Sequence, residues 1–326
     1  MAKRRGYSKR NMTAKQKKLS SILSAIVFII AVIVYYWPEI EATLTPDVPA
    51  AADPVVSTAD VEAEVYFFDV GQGDSALIRV GDYTMLIDVS VRDAADTICE
   101  NLDALGVTEL DAVVATHPHA DHIGGMTQII ETYPIGTFYM PVLPDSDTPT
   151  TKTYENMLDA LSECDVTVKQ ITDETEIPAP EGAAFDVLSP YDGDDWQELN
   201  DYSAVIRFTY GSVSFMLTGD AETPVEERIL DTGADISAQI LKCGHHGSSS
   251  STSQEFLDAV DPAVAVISCA EENDYGHPHR ETMAALEAQG CEILQTWQDG
   301  TVLICTNGTG YSVNTWSAEK ALSPAA

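Results

Sequence analysis

Three histidines and an aspartate lie within six positions of the segment THPHADHIGG (116–125): His117, His119, Asp121 and His122. Imidazole nitrogens and carboxylate oxygens are ligands for zinc and other divalent ions. One loop cannot comfortably direct four such side chains at one ion, but it can divide them between two neighbouring ions, an arrangement that activates water for hydrolysis. A solvated polar loop is the alternative, and the number and type of ligands favour metal binding over it.

Further ligand types follow two later apolar runs. FMLTGDAE (215–222) contains Asp220 at the end of a strand-like run, and LKCGHHGSSSS (241–251) contains the pair His245 and His246. Functional residues collect in loops at strand ends. A Gly-Asp pair alone is an ordinary turn. All seven histidines of the chain, however, fall in three short clusters, which favours a shared site.

Several other polar residues carry weaker signals. Asp69 and Asp74 flank two glycines in DVGQGD, where they either orient metal ligands or serve only as turn residues. His277 and His279, in YGHPH, either act on a substrate phosphate or its leaving group, or mark a helix start. Serines 248–251 either offer hydroxyls to a phosphate or form a flexible loop.

Short β-rich runs alternate with helical patterns after residue 64, which predicts sheets with helices outside them. A turn at Gly81-Asp82 predicts a hairpin. The acidic segment 171–201 is predicted to be a surface excursion around one strand. Helices are predicted near 93–105, 152–163, 222–231, 253–260 and 280–289, with another beginning near 126, and strands near 65–70, 75–80, 83–89, 111–116, 203–209, 212–218, 237–243, 263–268, 292–295 and 301–305.

The first 37 residues predict a membrane anchor. Residues 1–18 hold eight of the 17 Lys and Arg residues and no acid, and residues 19–37 are uncharged and end in Tyr-Tyr-Trp. About 20 apolar residues span a bilayer, and the basic flank stays in the cytoplasm. A cleaved signal peptide is the alternative, but the apolar stretch is long for one and no cleavage site directly follows it.

These patterns divide the chain into five parts, with an extracytoplasmic domain joined to the membrane by a Pro- and Ala-rich linker. The predicted parts are a basic cytoplasmic segment (1–18), a transmembrane helix (19–37), a linker (38–60), a hydrolase domain (61–316) and a tail (317–326).

Outside the basic segment the chain is strongly acidic, with nine basic residues against 52 acidic ones, a net charge of −43. Such a charge opposes tight, non-specific binding to nucleic acids, because that affinity comes from Lys and Arg. A phosphate substrate would need local cations, which metal ions can supply. The six cysteines have no CxxC spacing and lie mostly in apolar runs, which favours buried free thiols over disulfides.

The motifs resemble those of a known family. H-x-H-x-D-H is the signature of the metallo-β-lactamase fold superfamily. FFDVGQGDSALI (67–78), LIDV (86–89), NDYSAVIRFTYGSVSFMLTGD (200–220), LKCGHHGSSSS and NDYGHPH (273–279) resemble successive motifs of the hydrolase domain of ComEC-type competence proteins. The resemblance covers roughly residues 64–315 and implies an αββα sandwich with metals between the loops at one edge.

The resemblance also implies roles for individual residues. Asp220 bridges two ions, and the glycine after the histidine pair favours His246 as a ligand, which leaves His245 to contact substrate or act as an acid. The implied metal ligands are His117 and His119 for the first ion, Asp121, His122 and His246 for the second, and Asp220 for both; the implied catalytic residues are Asp121, His245 and His277.

Three features depart from the family pattern. Residues 123–244 lack a histidine that many members have, so the first ion is expected either to have too few ligands or to be completed by Asp74, Asn200, Ser203 or water. The usual Asp-x-Gly is replaced by Asp88-Val89-Ser90, which predicts an altered turn. The chain also has one hydrophobic helix and cannot form the channel of competence proteins.

We therefore predict a membrane-anchored, extracytoplasmic hydrolase with two divalent ions, which acts on a phosphodiester in DNA, a wall polymer or a lipid headgroup. Imidazole-rich ligands favour zinc, and manganese suits more oxygen donors. The alternatives are a lactamase or acyl-ester hydrolase, and a non-catalytic metal-containing surface module.

Overall fold

A computed structural model describes residues 61–321, which form two β-sheets flanked by helices. The first sheet has eight strands in the order β14-β13-β1-β2-β3-β4-β5-β6. Strands β3 to β6 run parallel, whereas β1, β2 and β3 alternate in direction. The strands are β1 (Ala63–Phe67), β2 (Ala76–Val80), β3 (Tyr83–Ile87), β4 (Leu110–Val114), β5 (Ile135–Met140), β6 (Val168–Gln170), β13 (Thr301–Thr306) and β14 (Tyr311–Trp316).

The second sheet has six strands in the order β12-β11-β10-β9-β8-β7. Its strands β9 to β12 are parallel, and β7 and β8 complete it in antiparallel fashion. The strands are β7 (Ala183–Ser189), β8 (Val205–Tyr210), β9 (Val213–Leu217), β10 (Ile240–Lys242), β11 (Val264–Ile267) and β12 (Glu292–Gln295).

Nine α-helices lie between or after the strands of the described region, and three short 3₁₀ turns supplement them. Thr151 caps the longest helix by accepting a hydrogen bond from the Tyr154 amide (3.3 Å). The helices are α1 (Ala95–Ala104), α2 (Ala120–Ile123), α3 (Met126–Thr132), α4 (Lys152–Glu163), α5 (Thr223–Asp231), α6 (Gln254–Val260), α7 (Arg280–Gln289), α8 (Thr296–Asp299) and α9 (Ala318–Ala321).

The two sheets pack face to face through one apolar core. Val65 and Phe67 of β1 point into this core with Phe208 and Phe215 of the other sheet, whereas Tyr66 faces the helices outside. This alternation follows from the two-residue period of a strand. Helices α1, α3 and α4 cover the outer face of the first sheet, and α5, α6 and α7 cover the second. The predicted αββα sandwich is confirmed for the described residues.

Most predicted elements match the structure, including the Gly81-Asp82 hairpin and a helix at Lys152–Glu163. The sequence analysis did not assign β5, β6 or β14. Segment 171–201 is only partly a surface excursion, because β7 completes the second sheet and Phe185 enters the core between the sheets. The physical reason is that the acidic, Pro- and Gly-containing stretches form loops on either side of an edge strand, and alternate residues of that strand are buried.

The six cysteines are free thiols, as predicted, although only Cys243, Cys269 and Cys305 are buried, and Cys164 is exposed. Within residues 61–321, no helix is both long and apolar enough to cross a membrane. The predicted anchor at 19–37 lies outside the described residues.

Candidate metal centre

Loops from the carboxyl ends of five strands meet at one edge of the sandwich. The loop after β4 carries the H-x-H-x-D-H segment, and the loops after β9 and β10 carry Asp220 and the pair His245 and His246. The loops after β1 and β3 add Asp74 and Asp88. Both sheets therefore contribute to one cluster of imidazoles and carboxylates.

Asp220 lies at the centre of this cluster. Its Oδ2 atom is 3.2 Å from Nε2 of His122 and 3.4 Å from Nε2 of His246. The Nε2 atoms of His245 and His117 are 3.8 Å and 3.9 Å away. One carboxylate oxygen is therefore surrounded by four imidazoles, all of which the sequence analysis had assigned to a site.

The remaining predicted ligands lie around Asp220. Nε2 of His117 and Nδ1 of His119 are 3.0 Å apart, with the two rings nearly perpendicular at 84°. The His122 ring lies 4.1 Å from the His117 ring and 5.2 Å from the His246 ring, measured between centroids. Oδ2 of Asp121 is 3.3 Å from Nε2 of His246. The structure thus brings together all six predicted ligands in one continuous cluster.

Several atoms in the cluster lack hydrogen-bond partners among the described residues. Nε2 of His122, Nε2 of His246 and Oδ1 of Asp220 are buried and unpaired. Buried polar atoms are rarely left without a partner. Potential ligand atoms of these three residues and Asp74 all lie within 4.8 Å of one another. The donor set and its unpaired atoms fit a bound divalent metal ion.

Contacts behind the ligands fix the orientation of their rings. Asp88 accepts hydrogen bonds from the Thr116 amide (2.8 Å) and hydroxyl (2.7 Å), and it contacts Nδ1 of His122 at 2.7 Å. Nδ1 of His246 lies 2.9 Å from the Ser268 carbonyl oxygen. Both contacts favour a proton on Nδ1, so that Nε2 faces the cluster and can serve as the ligand atom when a metal ion replaces its proton.

A buried ion pair lies beside His246. The ammonium of Lys242 contacts Oδ2 of Asp74 at 2.5 Å and donates to the Cys243 carbonyl at 2.8 Å. Oδ1 of Asp74 is 3.4 Å from Nδ1 of His246. Burial alone would raise the pKa of Asp74, but Lys242 and then His246 lower it to about 2. Asp74 is therefore a charged group that supports His246, and it does not lie on the His117 side of the cluster.

In most residues of the cluster, burial and the neighbouring charges shift the side-chain pKa in opposite directions. Burial would raise the pKa of Asp220, but His122 and His246 hold it well below its usual value. Burial would lower the pKa values of both histidines, but the carboxylates, Asp220 first, raise them well above the usual value. His117 has its pKa lowered well below the usual value by burial. A divalent cation can replace the protons that these groups otherwise share.

The backbone at the histidine pair adopts an unusual conformation. His245 and His246 have φ angles of +45° and +55°, in the left-handed region that costs side-chain-bearing residues about 1–2 kcal/mol each. Gly247 follows with φ +82°, and a Cβ atom there would lie 2.8 Å from Cβ of Pro278. Such strain clusters at functional sites.

The Asp88-Val89-Ser90 turn keeps a left-handed conformation without glycine. Asp88 has φ +59° and Ser90 has φ +46°. The Ser90 amide donates to the Asp74 carbonyl (2.8 Å), and the Val89 amide donates to the His122 carbonyl (2.7 Å). Although the turn has no glycine, its backbone amides still hydrogen-bond to Asp74 and His122 at the site.

A cleft of about 320 Å³ opens onto the cluster. Asp121, Asp220 and His246 line its floor, and His277 and Tyr275 form one wall. The His277 ring is 5.4 Å from His245 and 6.2 Å from His246, measured between ring centroids. The structure therefore places His277 in the cleft but not among the six predicted ligands.

The weaker candidates have separate positions. Asp69 accepts a long hydrogen bond (3.5 Å) from the Gly71 amide, as in a turn, and does not join the cluster. Ser203 accepts from the Asp220 amide (3.1 Å) and so supports that ligand from behind. Asn200 lies beside His245, 3.4 Å from its Nδ1 atom.

The serine loop and His279 are occupied by contacts within the protein. Ser250 donates to Glu222 (2.9 Å), and Ser251 donates to the Ala221 carbonyl (2.8 Å). Nδ1 of His279 accepts from the Ser249 amide (2.9 Å), and His279 directly precedes α7. These contacts favour the structural alternatives for the serines and for His279.

The sequence analysis missed three residues at the site. Glu222 contacts Nδ1 of His245 at 2.9 Å, and Lys242 pairs with Asp74. Tyr275 lines the cleft although its side chain is exposed. Lys242 could have been found, because a lysine in the apolar strand ILKC needs a buried partner.

Comparison with known proteins identifies the family. Residues 68–271 match the model of the metallo-beta-lactamase superfamily, and this match covers more than half of the chain. The chain belongs to that superfamily.

Its curated relatives include competence proteins. ComE operon protein 3 of Bacillus subtilis (strain 168) is 30% identical over 262 residues, which cover 74% of this chain and 33% of that protein. Competence protein ComA of Neisseria gonorrhoeae is 32% identical over 243 residues, which cover 74% and 32%. The chain therefore spans about a third of the length of these relatives. Among solved structures, the metallo-beta-lactamase fold protein YhfI from Bacillus subtilis is 14% identical with a TM-score of 0.47, covering 77% of this chain and all of that one.

Proposed function

We propose that this protein is a hydrolase that uses two divalent metal ions to cleave a phosphodiester outside the cytoplasm. The observation that carries the proposal is the central position of Asp220, whose Oδ2 atom lies within 3.9 Å of Nε2 of His117, His122 and His246. His119 contacts His117, and Asp121 contacts His246. Zinc is the preferred metal because four of the six proposed ligands are imidazoles, and manganese is the alternative.

The bound ions would supply an acidified water and neutralise charge on the phosphate oxygens. The chain's own residues hold these partners in place. Asp220 is the proposed bridging ligand. Asp121, at the floor of the cleft, is both a proposed ligand and the carboxylate closest to incoming substrate, and it is half-buried, whereas Asp220 is fully buried.

Two histidines beside the proposed metal ligands, His245 and His277, are proposed to contact the substrate. Glu222 holds Nδ1 of His245, so that Nε2 faces Asp220 and the cleft. His245 is therefore placed to contact the leaving-group oxygen. Burial lowers the pKa of His277 to about 4, which makes it neutral at pH 7. A neutral imidazole favours a hydrogen-bonding role at the substrate phosphate over the role of a proton donor.

Two further observations support a phosphodiester as the scissile bond. The relatives that match at 30% identity or more over about three quarters of this chain are ComE operon protein 3 and competence protein ComA, and the motif HHGS resembles that branch of the superfamily. The strong negative charge outside the basic segment opposes tight, non-specific binding to DNA. We therefore propose that local contacts at the cleft, rather than a basic surface, bind the substrate.

We also propose that residues 19–37 anchor the chain as a single-pass helix, with 1–18 in the cytoplasm and the hydrolase domain outside. Extraction of cell membranes with alkaline carbonate tests this. The full chain is expected to stay in the membrane pellet, and a variant without residues 1–37 is expected to leave it. Release of the full chain into the supernatant would contradict the anchor.

Hydrolysis of bis(p-nitrophenyl) phosphate tests the activity. The purified chain, loaded with Zn²⁺ or Mn²⁺, is expected to release p-nitrophenol, and His119→Ala and Asp220→Ala are expected to lower kcat/KM about 100-fold or more. Asp69→Asn, which changes an acid outside the cluster, is the matched control. Turnover of a lactam or ester without the phosphodiester would favour a lactamase or acyl-ester hydrolase. Bound metal without any turnover would favour a non-catalytic module.

A further inference from the structure

One aromatic side chain at the cleft has no role in the proposed chemistry. Tyr275 lines the cleft together with Asp121 and Asp220, yet 63% of its surface is exposed. Only four large apolar side chains in the described region are exposed, and Tyr275 is the most exposed of them. An exposed aromatic ring beside a cluster of proposed ligands is available to a ligand of the cleft.

The loop that carries Tyr275 is held by hydrogen bonds, and its ring lies beside His277. The ring stacks on His277 with 5.5 Å between centroids and 21° between planes. Asn273 pins the loop, because its side-chain oxygen accepts from the amides of Tyr275 (3.2 Å) and His277 (3.0 Å), and its nitrogen donates to the His277 carbonyl (2.7 Å). The two rings therefore lie nearly parallel and next to each other, and most of the Tyr275 ring is presented to solvent.

A second observation at the same wall points to a ligand. His277 is only 8% exposed, and its Nδ1 atom is buried without a hydrogen-bond partner among the described residues. His277 links Tyr275 to the cluster, because centroid steps of 5.5 Å and 6.2 Å lead from Tyr275 through His277 to His246. A group stacked on Tyr275 and a phosphate bound at the metal ligands would therefore occupy the same cleft.

The charge of the surroundings restricts what that group can be. Glu271, Glu272 and Asp274 are exposed beside Tyr275, so affinity at this wall cannot come from attraction to further phosphates or carboxylates. A flat, uncharged aromatic ring is favoured instead. Stacking of a nucleobase on an aromatic side chain supplies affinity that needs no Lys or Arg and no particular base.

We propose that Tyr275 is a stacking subsite for the nucleobase next to the scissile phosphate, and that it selects nucleotide esters over phosphodiesters that carry no base. This inference rests on the proposed phosphodiesterase function and adds a specificity determinant to it. A teichoic-type polymer or a lipid headgroup has no ring for this subsite.

The test compares two substrates that differ only in their bases. The full, metal-loaded chain in detergent is given a short single-stranded oligothymidylate and an abasic oligomer of the same length and backbone. We expect a higher kcat/KM for the oligothymidylate. Tyr275→Ala is expected to lower the ratio of the two kcat/KM values about 10- to 100-fold, and Tyr275→Phe is expected to retain most of it. Leu158→Ala, at an exposed apolar residue of α4, is the control and should keep the ratio.

The outcomes separate this inference from the proposed function. Equal hydrolysis of both oligomers by the wild-type chain, or an unchanged ratio in Tyr275→Ala, would overturn the stacking subsite and leave phosphodiester hydrolysis standing. If neither oligomer nor bis(p-nitrophenyl) phosphate is cleaved, the proposed function fails. In that case, fluorescence anisotropy of the labelled oligomers tests the stacking subsite by binding alone. Tighter binding of oligothymidylate than of the abasic oligomer, with the difference lost in Tyr275→Ala, supports the subsite. Equal binding of both oligomers overturns it.

Discussion

Replacement of Asp88 by asparagine tests how the protein prepares His122 for metal binding. The Asp88 carboxylate accepts from the Thr116 amide and hydroxyl, and its third contact, at 2.7 Å, is Nδ1 of His122. Asparagine keeps the size of the side chain and tolerates the φ angle of +59°. Its amide nitrogen, however, is a donor, and the carbonyl oxygen remains the natural partner of the Thr116 amide.

In the Asp88→Asn variant, the side-chain amide nitrogen would therefore face Nδ1 of His122 and favour the tautomer with its proton on Nε2. In that tautomer Nε2 has no free lone pair for a metal ion. Loss of such an orienting contact lowers metal affinity about 10- to 100-fold, which corresponds to about 1.4–2.7 kcal/mol. We expect this loss at the ion held by His122.

Competition with a chromophoric chelator measures the affinity, and the thermal unfolding curve shows whether the variant folds. Asp111→Asn is the control, because Asp111 likewise accepts a backbone hydrogen bond (2.8 Å from the Thr84 amide) but lies outside the cluster. A folded Asp88→Asn protein with the metal affinity of the wild type would refute the proposed role of Asp88.

Three further predictions concern the backbone and buried charge. Gly247→Ala should destabilise the fold by about 2–4 kcal/mol, because its φ is +82° and the added Cβ atom would collide with Pro278. Gly233→Ala, with open space around it, should cost about 1 kcal/mol. Equal losses of stability in chemical denaturation would contradict this. Ser90→Gly should stabilise the protein by about 1 kcal/mol by relieving a left-handed φ of +46°, and a lower melting temperature would contradict it. Burial raises the pKa of Asp201 to about 6, so ionisation of this carboxyl destabilises the fold progressively as the pH rises from about 4 to about 6. Asp201→Asn should therefore add about 1–2 kcal/mol at pH 7 and nothing below about pH 4, and a gain that is independent of pH would refute the assignment.

The sequence was most informative where side-chain chemistry and strand ends coincide. His117, His119, Asp121 and His122 follow an apolar strand that is easy to recognise, so their grouping could be predicted from the chain alone. Contacts between residues of the two sheets were harder to predict. Asp220 and His246 follow neighbouring strands of one sheet, but the 3.2 Å distance from Asp220 to His122 depends on how the two sheets pack. The positions at strand ends favoured a shared site, and only the family resemblance supplied the bridging role of Asp220.

Some elements had little signal in the sequence. Strand β6 (Val168–Gln170) is short and exposed. In β14 (Tyr311–Trp316), only Tyr311 and Val313 pack against the core between the sheets, and this alternation is too short to identify a strand. Tyr275 was missed for a different reason. Its importance comes from exposure beside the cleft, and exposure cannot be read from residue type.

Metal analysis of the purified chain tests the central claim most directly. The account predicts about two divalent ions per chain by mass spectrometry after loading and removal of free metal. Asp220→Ala should lower this stoichiometry, because the proposed ligand is shared by both ions, and His119→Ala should remove one ion while the group of Asp121, His122 and His246 keeps the other. A wild-type chain that retains no metal, or a stoichiometry that both substitutions leave unchanged, would contradict the existence of this centre.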